Sequence, residues 1–453
     1  MNAVRSLIVL ALAVLLTAQP ARAQSILRDA ETEAWLLELG RPIAEAAGLD
    51  PNNLEMVIVA DNSLNAFVAG GQRIYMHSGT LLRASNANEI QGIVAHEMGH
   101  IAAGHAVRFS SEAGGKASGI SILSLIAAGA AVAMGAGEAG AALLGLGQRA
   151  SLGTVLAFNR QQESRTDQAG ARYLEAAGIS GKGSIAFFKL IQNQEYRLAI
   201  PQDNEYIRTH PLSSNRIAAL EQLYRQSPYW DTPTDPGLEA GFQRIQGKLF
   251  GYVEHPDRTL REFPASDISE KARVARAYAY PKAAFPEKAA AEADALLAAE
   301  PDDPFILELK GQILMESGRP DEAIVPLERA VALAPDQPLI STILGHALLA
   351  TEDEENVDRA ADVLKEAVRH DRMNPFAWYQ LGIAYSKQGD EPRAALASAE
   401  QFAMARQPRL AASRARMAMA GIDRGTPDWL RAQDIMLVAQ EQLKDDDGNR
   451  RRR

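Results

Sequence analysis

The chain has 453 residues, 47% of them hydrophobic and 23% charged, with a formal net charge of -10. That length predicts at least two domains, and the acidic balance argues against nucleic acid as a partner, because a phosphate backbone calls for a positive face. The chain has no cysteine. This excludes disulfides, thiolate nucleophiles and cysteine-held zinc, so any metal must be held by histidine, aspartate and glutamate.

Residues 1–23 read as a signal peptide: Arg5, the apolar run SLIVLALAVLLTA, then Ala21-Arg22-Ala23 as a small-x-small cleavage site. The predicted mature chain begins at Gln24, and losing Arg5 and Arg22 takes the net charge from -10 to -12. The alternative is an uncleaved N-terminal anchor, which the short run and the Ala-x-Ala end disfavour.

Residues 26–48 have a helical pattern. EMVIVA (55–60), NAFVA (65–69) and RIYMH (73–77) read as short strands divided by turns. A helix over 87–108 follows, with Asn86 as its cap and Glu89 completing a capping box; Ile90, Val94, Met98 and Ile101 give it a buried side. The run 120–148 is mostly Ala and Gly with Glu138 as its one charge. It reads as a buried or membrane-touching helical hairpin rather than a span. Helices over 152–177, through SIAFFKLIQ and from near Ser213 come next, with His210-Pro211 in a polar loop before the last. Residues 227–265, rich in Pro, Gly and Asp, read as a junction.

Beyond it the sequence repeats. Gly311 and Gly345 are 34 apart, as are Pro301 and Pro335, and Pro304 and Pro338. The next step, Gly345 to Gly382, is 37, which places three extra residues in TEDEEN, assigned to an inter-helix loop. A period of 34 with glycine and proline in register is the pattern of tetratricopeptide helix pairs, expected over 266–440, with a charged tail at 441–453. Such a solenoid offers a surface for a peptide or helix. Trp378, Tyr379 and Tyr385 are candidates to line it, with core packing as the competing role.

The chemistry lies in His96-Glu97-Met98-Gly99-His100. Four residues turn a helix by about 400°, so the two imidazoles differ by only about 40° and can meet one ion. Glu97 can then act as general base on an attacking water. Zinc needs a third protein ligand, with His105, Glu163, Asp167 and His210 as candidates. His105 lies about 140° round the helix from His100, which disfavours it. Glu163 and Asp167 share a helix face, so one carboxylate could bind the ion while the other holds a histidine tautomer.

The blocks NAFVAGGQRIYMHSGTL, EIQGIVAHEMGHIAAGH and ESRTDQAGARYLEAAG resemble, in order, those of the gluzincin metallopeptidases related to the CAAX prenyl protease and the mitochondrial stress peptidase. The resemblance is greatest to soluble periplasmic members that enhance β-barrel assembly and carry tetratricopeptide repeats. It implies one zinc held by His96, His100 and Glu163, with Glu97 as base and Asp167 behind the ligands. It further implies His210 as a self-inhibitory ligand over the zinc, Arg216 at the oxyanion or paired with a local carboxylate, and Asn65 and Ala66 on a substrate-pairing edge strand. The expected fold class is α+β: a mainly helical zincin-like metallopeptidase domain (24–226) with a small sheet, followed by an all-α tetratricopeptide solenoid.

The implied function is quality control of misassembled outer-membrane β-barrel proteins in the periplasm, with repeats docking clients or the assembly machinery. Peripheral membrane contact would run through 120–148. A non-enzymatic chaperone or scaffold is the second reading; an intramembrane protease, which needs several spans, is the third.

Overall fold

The computed structural model describes residues 26–104, 148–198, 214–351 and 353–451. The expected signal peptide, His105, His210 and all but the last residue of the run 120–148 lie outside them. The chain divides into two compact units, one of Met1–Leu27 with Leu39–Pro233 and one of Arg28–Glu38 with Thr234–Arg453.

In the first unit, β1 (Ile26–Leu27), β2 (Glu55–Val59), β3 (Ala66–Val68) and β4 (Arg73–His77) form one sheet in the order β1-β2-β4-β3. The start of the expected 26–48 helix is thus a strand, and α1 spans Ala30–Ala46. β2 and β4 run parallel, while β3 turns back antiparallel on β4 with Phe67 opposite Tyr75.

After α2 (Ser78–Arg83) comes α3 (Ala87–Ala102). The Asn86 side chain accepts from Glu89 N–H at 3.0 Å, satisfying one orphan donor of this helix start, and Glu89 accepts from Ser85 N–H just before the cap at 3.0 Å. The helix stops before the expected residue 108, at Ala102, where Gly104 adopts φ +68°.

Every residue of α3 from Ala87 to His100 is buried. It packs on α4 (Gln148–Ala176), α5 (Lys182–Leu198) and β3. Small residues permit that enclosure. A Cβ at Gly99 would stand 2.8 Å from Thr166 Cγ2, and one at Gly170 would stand 3.1 Å from the Ala95 carbonyl oxygen, so α3 and α4 approach closely at both points. α6 (Ser214–Arg225) packs on α4 and α5.

The second unit is all helical. The stretch expected as a junction contains α7 (Pro236–Val253) and α8 (Pro256–Glu262). Its Pro and Asp are helix-start chemistry: Asp235 caps Gly237 and Leu238, and Pro236 needs no N–H at the first turn. Paired helices follow: α9 (Glu270–Lys282) with α10 (Pro286–Ala299), α11 (Pro304–Glu316) with α12 (Pro320–Leu333), α13 (Pro338–Ala350) with α14 (Glu354–His370), and α15 (Pro375–Lys387) with α16 (Glu391–Met404). α17 (Pro408–Gly421) and α18 (Pro427–Arg451) close the series, so the expected tail continues a helix as far as Arg451.

The glycine register has a packing cause. A Cβ at Gly311 would meet Leu327 Cγ at 2.4 Å, and one at Gly345 would meet Leu364 Cγ at 2.4 Å. The three extra residues do not lengthen a loop. Both α11–α12 and α13–α14 are joined by three residues, but α14 has 17 residues where α12 has 14. Asp353 caps the added turn by accepting from Glu355 N–H at 3.0 Å. No described helix is long and apolar enough to cross a membrane.

Candidate metal centre

Two helices supply the centre. His96 and His100 project from α3 with their Nε2 atoms 3.2 Å apart. Glu163 on α4 places one carboxylate oxygen 3.4 Å from His96 Nε2 and the other 3.4 Å from His100 Nε2. All three side chains are buried, and among the described residues they form one group able to hold a metal ion. The spacing fits zinc: ligands at about 2.0–2.1 Å in a tetrahedron stand about 3.3–3.4 Å from one another.

Behind them lies a relay of charge. His96 Nδ1 is 3.0 Å from an oxygen of Asp167, one turn after Glu163 on α4. With an ion bound, that contact would keep the proton on Nδ1 and turn the Nε2 lone pair toward the group. Asp167 in turn accepts from Arg216 of α6, through Nη2 at 2.8 Å and through Nε. Burial disfavours the Asp167 carboxylate, but the hydrogen bonds from Arg216 and His96 hold it below the usual range. Burial likewise disfavours a charged His96; Asp167 and Glu163 outweigh it and raise the metal-free ring to about 10. Metal must therefore displace a proton from this site to bind.

Of the residues expected here, His96, His100, Glu163 and Asp167 come together. Glu97 is fully buried beside them in the chain. Arg216, expected at an oxyanion or paired with a local carboxylate, here faces carboxylates. It forks onto Asp167, and its Nη2 lies 3.0 Å from Glu163, so two buried carboxylates take up its charge. Its guanidinium also sits 5.4 Å from the centre of the Phe188 ring, and that ring stands edge-on to His96 at 6.3 Å. Sequence reasoning passed over Phe188, which sits in an ordinary amphipathic helix with no local signal of the site.

Asn65 and Ala66 lie at β3, which stands at an end of the strand order, and both are buried, at 4% and 0% exposure. Asn65 N–H donates to Thr80 Oγ1 at 2.8 Å, and its carbonyl accepts from His77 N–H at 3.0 Å, so its main chain serves α2 and β4. Phe67 and Val68 are the half-buried part of that edge.

Residues 30–224 match the model of peptidase family M48, and residues 295–405 match the cytochrome c-type biogenesis protein H TPR domain. The putative beta-barrel assembly-enhancing protease of Vibrio cholerae is 26% identical over 45% of this chain and 42% of its own length. The beta-barrel assembly-enhancing protease of Escherichia coli K12 is 22% identical over 84% of this chain and 77% of its own. Metalloprotease LoiP of the same organism is 30% identical over 37% and 60%.

Proposed function

Because the chain joins a domain of peptidase family M48 to tetratricopeptide repeats, we propose that it is a zinc-dependent endopeptidase of the bacterial periplasm. Its task in this reading is quality control of misassembled outer-membrane proteins. The observation that carries it is the convergence of His96, His100 and Glu163 at 3.2–3.4 Å, with Asp167 fixing one ring from behind.

His96, His100 and Glu163 would hold the ion, which when bound supplies a Lewis acid that polarises the scissile carbonyl and acidifies water. Glu97 takes the proton of the attacking water and returns it to the leaving amine. Asp167 keeps the His96 proton on Nδ1 throughout. Arg216 positions Asp167 and Glu163, offsetting the repulsion of two buried carboxylates one turn apart. Residues 1–23 direct export, and the repeats dock clients or the β-barrel assembly machinery, which the relatives' names suggest. His210 serves as a self-inhibitory ligand, and 120–148 makes any peripheral membrane contact.

The test is zinc content and casein hydrolysis of the mature chain. Glu97→Gln should keep zinc and lose about 10²–10⁴-fold in rate, the span of general acid–base catalysis. Retained hydrolysis in that variant defeats the peptidase reading, and a scaffold would show no hydrolysis in either protein. His210→Ala should hydrolyse faster than wild type; equal or lower rates with zinc retained defeat the self-inhibition.

A further inference from the structure

The second unit contains a cavity of about 410 Å³ between α14, α15, α16 and α18 that the hydrolytic chemistry does not use. This size is ordinary for a ligand site, about 300–1,000 Å³. Its floor is Trp378, Leu381 and Tyr385, three and four residues apart on one face of α15. The wall from α14 carries Lys365 and Arg369, with Arg372 just past the helix end; their spacing of four and three puts them in one stripe.

The opposite wall is electrically closed. Arg393 pairs with Asp428 at 3.0 Å and Asp390 at 2.8 Å, and Arg431 forks onto Glu400. The α14 wall is not. The side chain of Arg372 has no ion pair or hydrogen bond among the described residues, while its carbonyl accepts from Trp378 Nε1 at 3.0 Å. Lys365 and Arg369 pair with acids of their own helix surface, Asp362 and Glu366; Arg369 also meets His370 Nε2 at 2.9 Å, and Lys365 Nζ stands 5.8 Å from the centre of the Tyr385 ring. Exposed pairs of that kind contribute about 0–1 kcal/mol and exchange readily. Five cations and five acids stand around the cavity, and because Arg393 takes two of the acids, Arg372 is the cation left without one among the described residues, beside an aromatic floor.

We propose that this cavity binds a peptide segment in which a carboxylate adjoins an aromatic side chain. The ring lies on Trp378 and Tyr385 and the carboxylate meets Arg372 and Lys365. A bare phosphate would leave the apolar floor uncovered, and an acyl chain would outrun a cavity walled by ion pairs, whereas one aromatic residue beside one acid fills both halves. This rests on the reading of the repeats as a docking module and is independent of the hydrolytic step.

The experiment uses the mature chain carrying Glu97→Gln and a fluorescein-labelled Gly-Ser peptide with Asp-Phe-Glu at its centre, read by anisotropy. Peptides with Lys-Phe-Lys or Asp-Ala-Glu, and vesicles of phosphatidylglycerol or phosphatidylcholine, serve as competitors. The expected result is binding at least tenfold tighter than to either control peptide, weakened at least tenfold by Arg372→Glu with the circular-dichroism melt unchanged. Phe-independent binding, equal binding by Arg372→Glu, no binding, or competition by phosphatidylglycerol vesicles alone overturns the proposal. Casein hydrolysis by the wild type is measured separately. Lost binding with intact hydrolysis defeats the docking site alone, and the converse defeats the peptidase reading alone.

Discussion

Two clusters of buried charge, one in each unit, look alike in composition and differ in what they face. Around Arg244 and Lys248 of α7, four acids meet a cation: Lys248 Nζ stands 2.9 Å from Asp29 and 2.7 Å from Glu31, and Arg244 pairs with Glu31, Glu270 and Asp303. Around His96, two ring nitrogens and a carboxylate able to ligate an ion converge at 3.2–3.4 Å, and the single arginine grips the carboxylates from behind. The first arrangement is closed and holds helices together. The second gathers donors in a way that only a cation at their centre would make favourable. Convergence, and not the number of buried charges, separates a reactive site from a structural one.

Substitutions sharpen that contrast. Lys248→Met strands Asp29 in a buried setting and leaves Glu31 to Arg244 alone, and should cost about 3–5 kcal/mol. Urea unfolding of the second unit should show that loss while zinc content stays unchanged; a small loss would mean the cluster is solvated. Asp167→Asn should do the reverse, lowering zinc affinity about 10–100-fold with little change in the unfolding of the repeats. Competition with a chelator measures it, and unchanged affinity would remove Asp167 from the relay.

The smallest effect concerns pH. Burial, with Asp29, Glu31 and Glu33 nearby and Lys248 opposing, raises Glu308 from 4.5 to about 8. The folded chain thus holds a proton there that the unfolded chain releases between about pH 4.5 and 8. Its contribution is full below the unfolded value and is lost as pH rises through the folded one. Glu308→Gln should flatten that decline, narrowing the melting-temperature loss between pH 7 and 9 by about 2–4 °C, or about 1 kcal/mol. An identical slope in both proteins would show that Glu308 does not carry it.

Much of the architecture is legible because it rests on local rules. The spacing of His96 and His100 needs only helix geometry, and the 34-residue period survives because Gly311 and Gly345 each abut a leucine of the next helix. The roles of Glu163 and Asp167 follow from one helix face, although choosing between them drew on family blocks. What escaped was non-local. Nothing near Arg216 tells that it faces two acids 49 and 53 residues back. A proline- and aspartate-rich stretch reads equally as linker or as successive helix starts, and at α7 and α8 it is the latter. Three extra residues can enlarge a turn or add one to a helix, and Asp353 decides for the helix at α14 by capping it.

Arg216 belongs to α6, whereas the candidate ligands belong to α3 and α4. Lifting α6 away would return two acids to mutual repulsion and release the ring they steady. Anchorage of that helix and retention of the ion are therefore reciprocal quantities: whatever loosens one must weaken the other by the same free energy. A chelator should be felt at residues 214–225 as increased amide exchange, well before the repeats respond.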